Sequence, residues 1–384
     1  MSEVLELFVA CLPGLERLVA DEGRALGAEV LDPQVGAGGV AMRGDLRTML
    51  ALNLGLACAS HVLLRIAKFR ARHFGELERK AMQVPWGDWL RTDVPVAVRA
   101  TARRSRLHHT VGLAERVAAA IAAVSGASLE VEGEPVTVLV RMEDDLCTLS
   151  IDSSGRPLHE RGWRLETAKA PLREDLAAAL VRASGWDGRI PFVDPMCGSG
   201  TLAIEAAAFA RGLAPGRARG FAGERLAGVA AAGVAELRAA AAARARASAG
   251  TSIHASDRDA GAVEITQRNA ARAGVAADLV VEHAALSAAS GLRSGEPRGV
   301  VVCNPPFGQR LGSPAALAAL WQTLGAKVAA LGPGWTLAVL AADRRAALRC
   351  GLPLRSAFLA DHGGIKVRGL VATATATAAP DESH

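Results

Sequence analysis

Residues 301–312 read VVCNPPFGQRLG, an apolar run that ends in an amide, two prolines and an aromatic ring. An exocyclic amine on a planar base is a poor nucleophile, because its lone pair is delocalised into the ring. Acceptors that hold the amine hydrogens let the lone pair turn toward an electrophile. The Asn304 side-chain oxygen and the Pro305 carbonyl can be those acceptors. Pro305 and Pro306 stiffen the backbone and preorganise them. Phe307 can stack on the face of an extruded base. Taken alone, the string also reads, less readily, as a rigid strand-to-loop connection.

A second stretch supplies a partner for that chemistry. DPMCGSGT, residues 194–201, follows an apolar strand pattern and opens a helical one. Gly198 and Gly200 let the backbone turn sharply and come close to a ligand. The third glycine of a dinucleotide fingerprint is absent, and no Lys stands where a P-loop needs one. A nucleoside-binding turn not built for phosphates remains. Asp194 can anchor the turn or a cationic ligand group. Cys197, Gly198, Ser199, Gly200 and Thr201 form the rest of the turn. Asp257, at the end of the next strand pattern in HASDRD, is suited to accept from a ribose diol. An adenosyl group carrying a sulfonium fits such a pocket, which points to S-adenosyl-L-methionine as cofactor.

The elements that must position these residues follow from periodicity. From residue 189 onward strands and helices alternate: RIPFVDP, GTLAIEAAAFARG, SIHASD, AGAVEITQRNAARAG, ADLVVEHA, RGVVVCNPP, PAALAALWQTLGAKVAAL and GWTLAVLA. This predicts an α/β, Rossmann-like doubly wound sheet over 189–376. Residues 224–249 read as an inserted amphipathic helix, and ATATATAAPDESH as a frayed tail, assigned flexible over 377–384. Before it, residues 156–188 form a linker and a helix from about Leu172 to Ser184. The first part mixes strands and helices in small α+β modules. It includes a helix capped by Asp45, a helix in HFGELERKAMQVPWGDWL ending near Pro85, and a hairpin turning at 143–145.

DPMCGSGTLAIEAA followed by CNPPFGQRLG resembles the class I RNA guanine-N2 methyltransferases that carry a THUMP domain. PLHERGWRLETAKAPLREDLAAAL resembles their linker. ACLPGLERLVADE, GGVAMRGDL and RATARRSRLHHT resemble their ferredoxin-like and THUMP regions, and APGRARGFAGE, SDRDAGAVEITQRNAARAG and GGIKVRGL match further stretches. The likeness spans nearly the whole chain and is greatest to the guanine-N2 half of the bacterial 23S rRNA enzyme. It implies a ferredoxin-like region over 1–60, a THUMP RNA-binding domain over 45–155, and a methyltransferase domain behind them. It also implies a catalytic loop of Asn304, Pro305, Pro306 and Phe307, and a cofactor loop with Asp257 on the ribose. Two positions depart from the family. Many relatives have Tyr at Phe307, and His283 stands near the place of their adenine-binding acid, with Glu282 beside it.

RNA capture falls to the first half. RATARRSRLHHT groups Arg99, Arg103, Arg104, Arg106, His108 and His109, and KFRARHF adds Lys68, Arg70, Arg72 and His73. Such clusters can track phosphates. Structured RNA is therefore the expected partner, rRNA first and tRNA second. A DNA adenine-N6 methyltransferase and an RNA-binding ribosome-assembly factor with vestigial catalysis are the competing readings.

Composition sets the outer bounds. The 384 residues carry a net charge of +5 and an isoelectric point near 9.1, mildly suited to a polyanion. Only five of the 44 basic residues are Lys and there is no Tyr, which reads as base-composition bias. No apolar run reaches the ~18–20 uncharged residues of a membrane span. The N-terminus lacks a basic leader, so a cytoplasmic address and no membrane partner are expected. Six scattered Cys without a CxxC pair predict neither a metal site nor disulfides, and buried thiols instead.

Overall fold

The computed structural model describes residues 4–31, 33–34, 36–129, 133–166, 172–306 and 314–374. The chain forms two compact units. The first comprises Met1–Cys11, Val19–Leu158 and Pro215–Ala243, and the second Leu12–Leu18, His159–Ala214 and Arg244–His384.

The first unit is built on seven strands: β1 (Leu5–Cys11), β2 (Glu29–Val30), β3 (Gly39–Gly44), β4 (Ala59–Arg70), β5 (Val96–Arg103), β6 (Val136–Glu143) and β7 (Leu146–Asp152). They pair in the order β2-β3-β1-β4-β7-β6-β5, with only β5 and β6 parallel. Helices α1 (Glu16–Ala25), α2 (Leu46–Gly55), α3 (Phe74–Ala81) and α4 (Thr110–Ser125) come from the intervening sequence. Alternation along the strands explains the layering. Leu5, Leu7 and Val9 of β1, Val62 and Leu64 of β4, and Val136, Val138 and Val140 of β6 are buried, while their neighbours in sequence reach solvent. Local signals set the ends. Asp45 caps α2 by accepting from Thr48 N at 2.8 Å, as expected. Asp144 and Asp145 close the β6–β7 hairpin with φ of 51° and 62°, the left-handed pair that a two-residue turn requires. Helix α3 stops at Ala81, four residues short of Pro85.

The second unit holds α5 (Glu174–Ala183), β8 (Phe192–Asp194), α6 (Thr201–Arg211), β9 (Ile253–Asp257), α8 (Ala260–Ala273), β10 (Leu279–His283), β11 (Gly299–Cys303), α9 (Pro314–Ala330), β12 (Trp335–Ala341), α10 (Arg344–Ala347), β13 (Arg355–His362) and β14 (Ile365–Thr373); α7 (Ala231–Ala243) belongs to the first unit. The sheet order is β10-β9-β8-β11-β12-β14-β13, parallel from β10 to β12 and antiparallel at β14 and β13. Every residue of β8 and β11 is buried, as in a sheet covered on both faces. Strand order reverses between β8 and β11, so a crevice opens at their carboxyl ends. Strand β13 went unassigned in the sequence reading.

Two expectations shift. The helix expected within 224–249 forms over Ala231–Ala243, yet none of its residues is fully buried; Gly233, Val234, Leu237, Arg238 and Ala241 make a shallow half-buried stripe. The tail expected to fray from Ala372 begins inside β14, which pairs Ala372 with Leu337 and Thr373 with Thr336; residues 375–384 lie outside the described residues. All six Cys are buried thiols outside any disulfide. Among the described residues, no helix is long and apolar enough to cross a membrane, and no three metal-capable side chains cluster.

Candidate active site and basic surface

The crevice is furnished by the ends of β8, β9 and β11. Val301 pairs with Val193 across β11 and β8, which sets Asp194 beside Val302 and Asn304 one step beyond the strand. Asp194 is fully buried. One of its oxygens accepts weakly from Met196 N at 3.3 Å. The other, Oδ2, has no partner among the described residues. Burial pushes this carboxyl well above the ordinary Asp range, and nearby Asp257 adds to the shift. Asn304 shows the same signature. Its Oδ1 is buried and without a hydrogen-bond partner among the described residues. Two acceptors left open at one switch point form a cradle for cationic or hydrogen-donating groups. Pro305 is buried and Pro306 half-buried, while Phe307 lies outside the described residues.

The turn between β8 and α6 is held from several sides. Cys197 N donates to Ser256 O at 2.9 Å, and Gly200 N to Cys197 O at 2.8 Å. Gly198 N donates to Asp257 Oδ2 at 2.9 Å. The other Asp257 oxygen accepts from Asp259 N at 3.0 Å. Asp257 is therefore tied to the turn as well as standing at the end of β9. Gly200 has φ of +84°, and a Cβ there would sit 2.7 Å from Thr266 Cγ2. A Cβ on Gly198 would meet nothing within 4 Å, so open space faces that side of the turn. Ser199 and Thr201 are buried, and Thr201 begins α6.

Two residues that the sequence reading missed hold this turn from α8. Thr266 Oγ1 donates to Gly198 O at 2.9 Å and lies 3.6 Å from Cys197 Sγ. Asn269 Nδ2 donates to Ser199 O and to Glu166 O, both at 3.1 Å. Both side chains are fully buried. Their signal was present: two polar residues three apart on a helix face otherwise made of Ala262, Val263, Ala270 and Ala273. Glu166 is itself clasped by Arg268 and Arg272 of α8, which hold its carboxyl down at about 2.

At the third strand end, His283 is exposed and its Nε2 lies 3.1 Å from Arg258 O. Glu282 accepts from Ser290 N at 2.9 Å, which lowers its pKa. Glu282 is thus engaged away from the position His283 occupies beside Asp257 in the sheet register.

In the first unit, the two basic stretches meet around the Asp144–Asp145 turn. Arg104 grips both oxygens of Asp144 at 3.0 and 2.9 Å and reaches Glu143 at 3.4 Å. Arg72 Nε is 3.5 Å from Asp145 Oδ2, and Arg106 N donates to Asp145 Oδ1 at 2.8 Å. Arg70 reaches only the Asp144 carbonyl, at 3.5 Å. Arg103 is exposed and has no carboxylate partner among the described residues. His73 and His109 accept from Glu76 N and Gly112 N and cap α3 and α4. His108 Nδ1 lies 3.0 Å from Arg106 O. The cluster thus carries much of its own counter-charge.

Comparison with known proteins follows the same division. Residues 6–63 match the RlmL ferredoxin-like domain, 71–152 the THUMP domain, and 161–351 the RMKL-like methyltransferase domain. The ribosomal RNA large subunit methyltransferase K/L of Syntrophotalea carbinolica is 35% identical over 96% of this chain. The chain spans 53% of that relative, about half its length. The crystal structure of SMU.472 complexed with SAH superposes with a TM-score of 0.87 at 28% identity, covering 98% of this chain and 99% of that one. A structure from Listeria monocytogenes named a predicted N6-adenine-specific DNA methylase is 30% identical, with a TM-score of 0.83 and 96% of each chain covered.

Proposed function

The chain belongs to the RMKL-like methyltransferases that carry an RlmL ferredoxin-like and a THUMP domain, and from that premise we propose that it methylates the N2 amine of a guanine in structured RNA, with large-subunit rRNA as its first substrate. The observation that carries this reading is a pair of buried acceptors, Asn304 Oδ1 and Asp194 Oδ2, at the carboxyl ends of neighbouring strands, neither with a hydrogen-bond partner among the described residues.

The residues at the strand ends fit S-adenosylmethionine. Asp194 offers a desolvated acceptor for a cationic portion, Gly198 leaves room for close approach, and Asp257 stands at the ribose position of such sheets. When bound, this cofactor supplies an electrophilic methyl on a sulfonium. The chain's own contribution is orientation. Asn304 Oδ1 and the Pro305 carbonyl accept the hydrogens of the guanine amine and turn its lone pair toward the methyl carbon. The nitrogen–carbon bond forms in line as the carbon–sulfur bond breaks, and the amine then gives a proton to solvent. Phe307, as an expectation from sequence, stacks on the base.

A second reading has one specific support. The relative named as an adenine-specific DNA methylase is 30% identical over almost its full length, and an Asn-Pro-Pro-Phe loop suits an adenine N6 amine equally well. The test is methyl transfer from labelled S-adenosylmethionine to unmethylated rRNA, tRNA and duplex DNA, followed by nucleoside analysis. N2-methylguanosine in rRNA is the expected product. The same nucleoside in tRNA alone keeps the chemistry and moves the substrate. N6-methyladenine in DNA overturns the proposal, and no product on any polymer favours an RNA-binding assembly factor.

A further inference from the structure

In the first unit's sheet, alternation turns the apolar residues to one face, and the opposite face is rich in charge over β4 to β7. Register aligns its outward residues in rows. One row runs Arg43–Glu6–Arg65–Ser150–Leu139–Arg99. The next runs Lys68–Thr148–Arg141–Thr101, and the third Arg70–Leu146–Glu143–Arg103. Over β4, β7, β6 and β5 the last two rows and Arg99 bring together Lys68, Arg70, Arg99, Arg103 and Arg141, all exposed. Glu143 is the one carboxylate among those row positions, and it pairs with Arg141 at 2.7 Å. Lys68, Arg70, Arg99 and Arg103 have no carboxylate partner among the described residues. Rows lie about 7 Å apart along the strands and neighbouring strands about 5 Å apart, so the cations form a lattice of nanometre width.

What the face lacks is equally informative. None of the outward positions on these four strands is Phe, Tyr or Trp. Phe8, on neighbouring β1, lies under the Arg65 guanidinium at 4.4 Å, so that ring is already stacked. Sheets that read unpaired bases do so by stacking them on exposed aromatics. This one instead offers cations with the hydroxyls of Thr101 and Thr148 between them, groups suited to phosphates and ribose 2′-hydroxyls.

We propose that the exposed cations of this sheet face dock the sugar–phosphate backbone of double-helical RNA, without reading bases. The inference rests on the RNA reading above and deepens it, since it names the form of RNA and moves the contact from the self-paired Asp144–Asp145 corner onto the sheet.

The experiment compares binding of the full chain to an RNA hairpin and to an unpaired RNA of equal length, across a salt series. The variants are Arg99→Ala/Arg141→Ala and the charge-preserving Arg99→Lys/Arg141→Lys, each checked for an unchanged melting temperature. The expected result is tighter binding to the hairpin, a roughly tenfold loss in the alanine pair with a salt slope shallower by about 1 to 2, and recovery in the lysine pair. Hairpin affinity and slope unchanged in the alanine pair would overturn the proposal while leaving the RNA reading standing. Equal or tighter binding of the unpaired strand would overturn the duplex assignment. Absence of any RNA binding by the wild-type chain would remove both this inference and the RNA reading beneath it.

Discussion

The two seven-stranded sheets handle polar groups in opposite ways. On the first unit's charged face and corner, most charges are exposed, and many are paired: Arg104 with Asp144, Arg141 with Glu143, Arg72 with Asp145. At the strand ends of the second unit, two polar oxygens are buried and have no hydrogen-bond partner among the described residues. Exposed pairs are screened and individually weak. Buried unpaired acceptors are costly to keep, which makes them informative about a missing ligand. The first region would therefore act by summation, the second through single atoms.

The largest effect should come from the second region. Asn304→Ala removes an acceptor aimed at the reacting amine, and methyl transfer should fall about 10²–10³-fold, as when one preorganised polar contact to a transition state is lost. Cofactor binding and RNA binding should stay close to wild type. Single-turnover methyl transfer checks this; activity within a few-fold of wild type would remove Asn304 from the chemistry.

Asp194→Asn sharpens the comparison by separating stability from function. The folded carboxyl titrates above its unfolded value because it is buried. The folded state therefore binds the proton more tightly, and stability falls as pH rises from the ordinary Asp value toward the raised one. At neutral pH the ligand-free Asn variant should melt higher than wild type, while its affinity for S-adenosylmethionine drops. Thermal melting with and without cofactor tests both halves. A variant that is less stable and binds normally would mean that Asp194 is a structural anchor of the turn.

Next in size are the supports on α8. Asn269→Ala leaves the Ser199 and Glu166 carbonyls without their buried donor and should cost about 1–3 kcal/mol of stability. Because the turn it holds faces the cofactor crevice, KM for S-adenosylmethionine should rise more than kcat falls. Lower melting with unchanged KM would reduce Asn269 to a packing role.

Much of this was legible in the sequence because local chemistry is written locally. Asp45 before an apolar period, two aspartates between alternating runs, and glycines after a buried strand each state their own conformation. The reversal of strand order, which brings Asp194 beside the residues leading to Asn304, depends on pairing between segments about a hundred positions apart. The doubly wound pattern predicts it, but no single stretch contains it. Thr266 and Asn269 escaped because a polar residue on a helix reads as solvent-facing until its partner is known. The basic clusters were visible, but their neutralisation was not. Arg104 and Asp144 are 40 positions apart, and only the β5–β6 and β6–β7 pairings bring them together.

That neutralisation yields the smallest predicted effect, and the one that divides the first region internally. Arg103 and Arg104 are adjacent in sequence and both exposed. Arg103 lies in the row with Arg70 on the charged face and has no carboxylate partner among the described residues. Arg104, with φ of 48°, turns back onto Asp144 in a bidentate pair. Binding a phosphate through Arg104 would require giving up that pair, so its loss should change RNA affinity by less than about threefold, the scale of an exposed ion pair. Arg103→Ala should weaken binding more and make the salt slope shallower by about 1. Salt-dependent binding of the two single variants measures the difference. If Arg104→Ala proves the more damaging, the Asp144–Asp145 corner contacts RNA directly, and its carboxylates position arginines for the contact instead of withholding them.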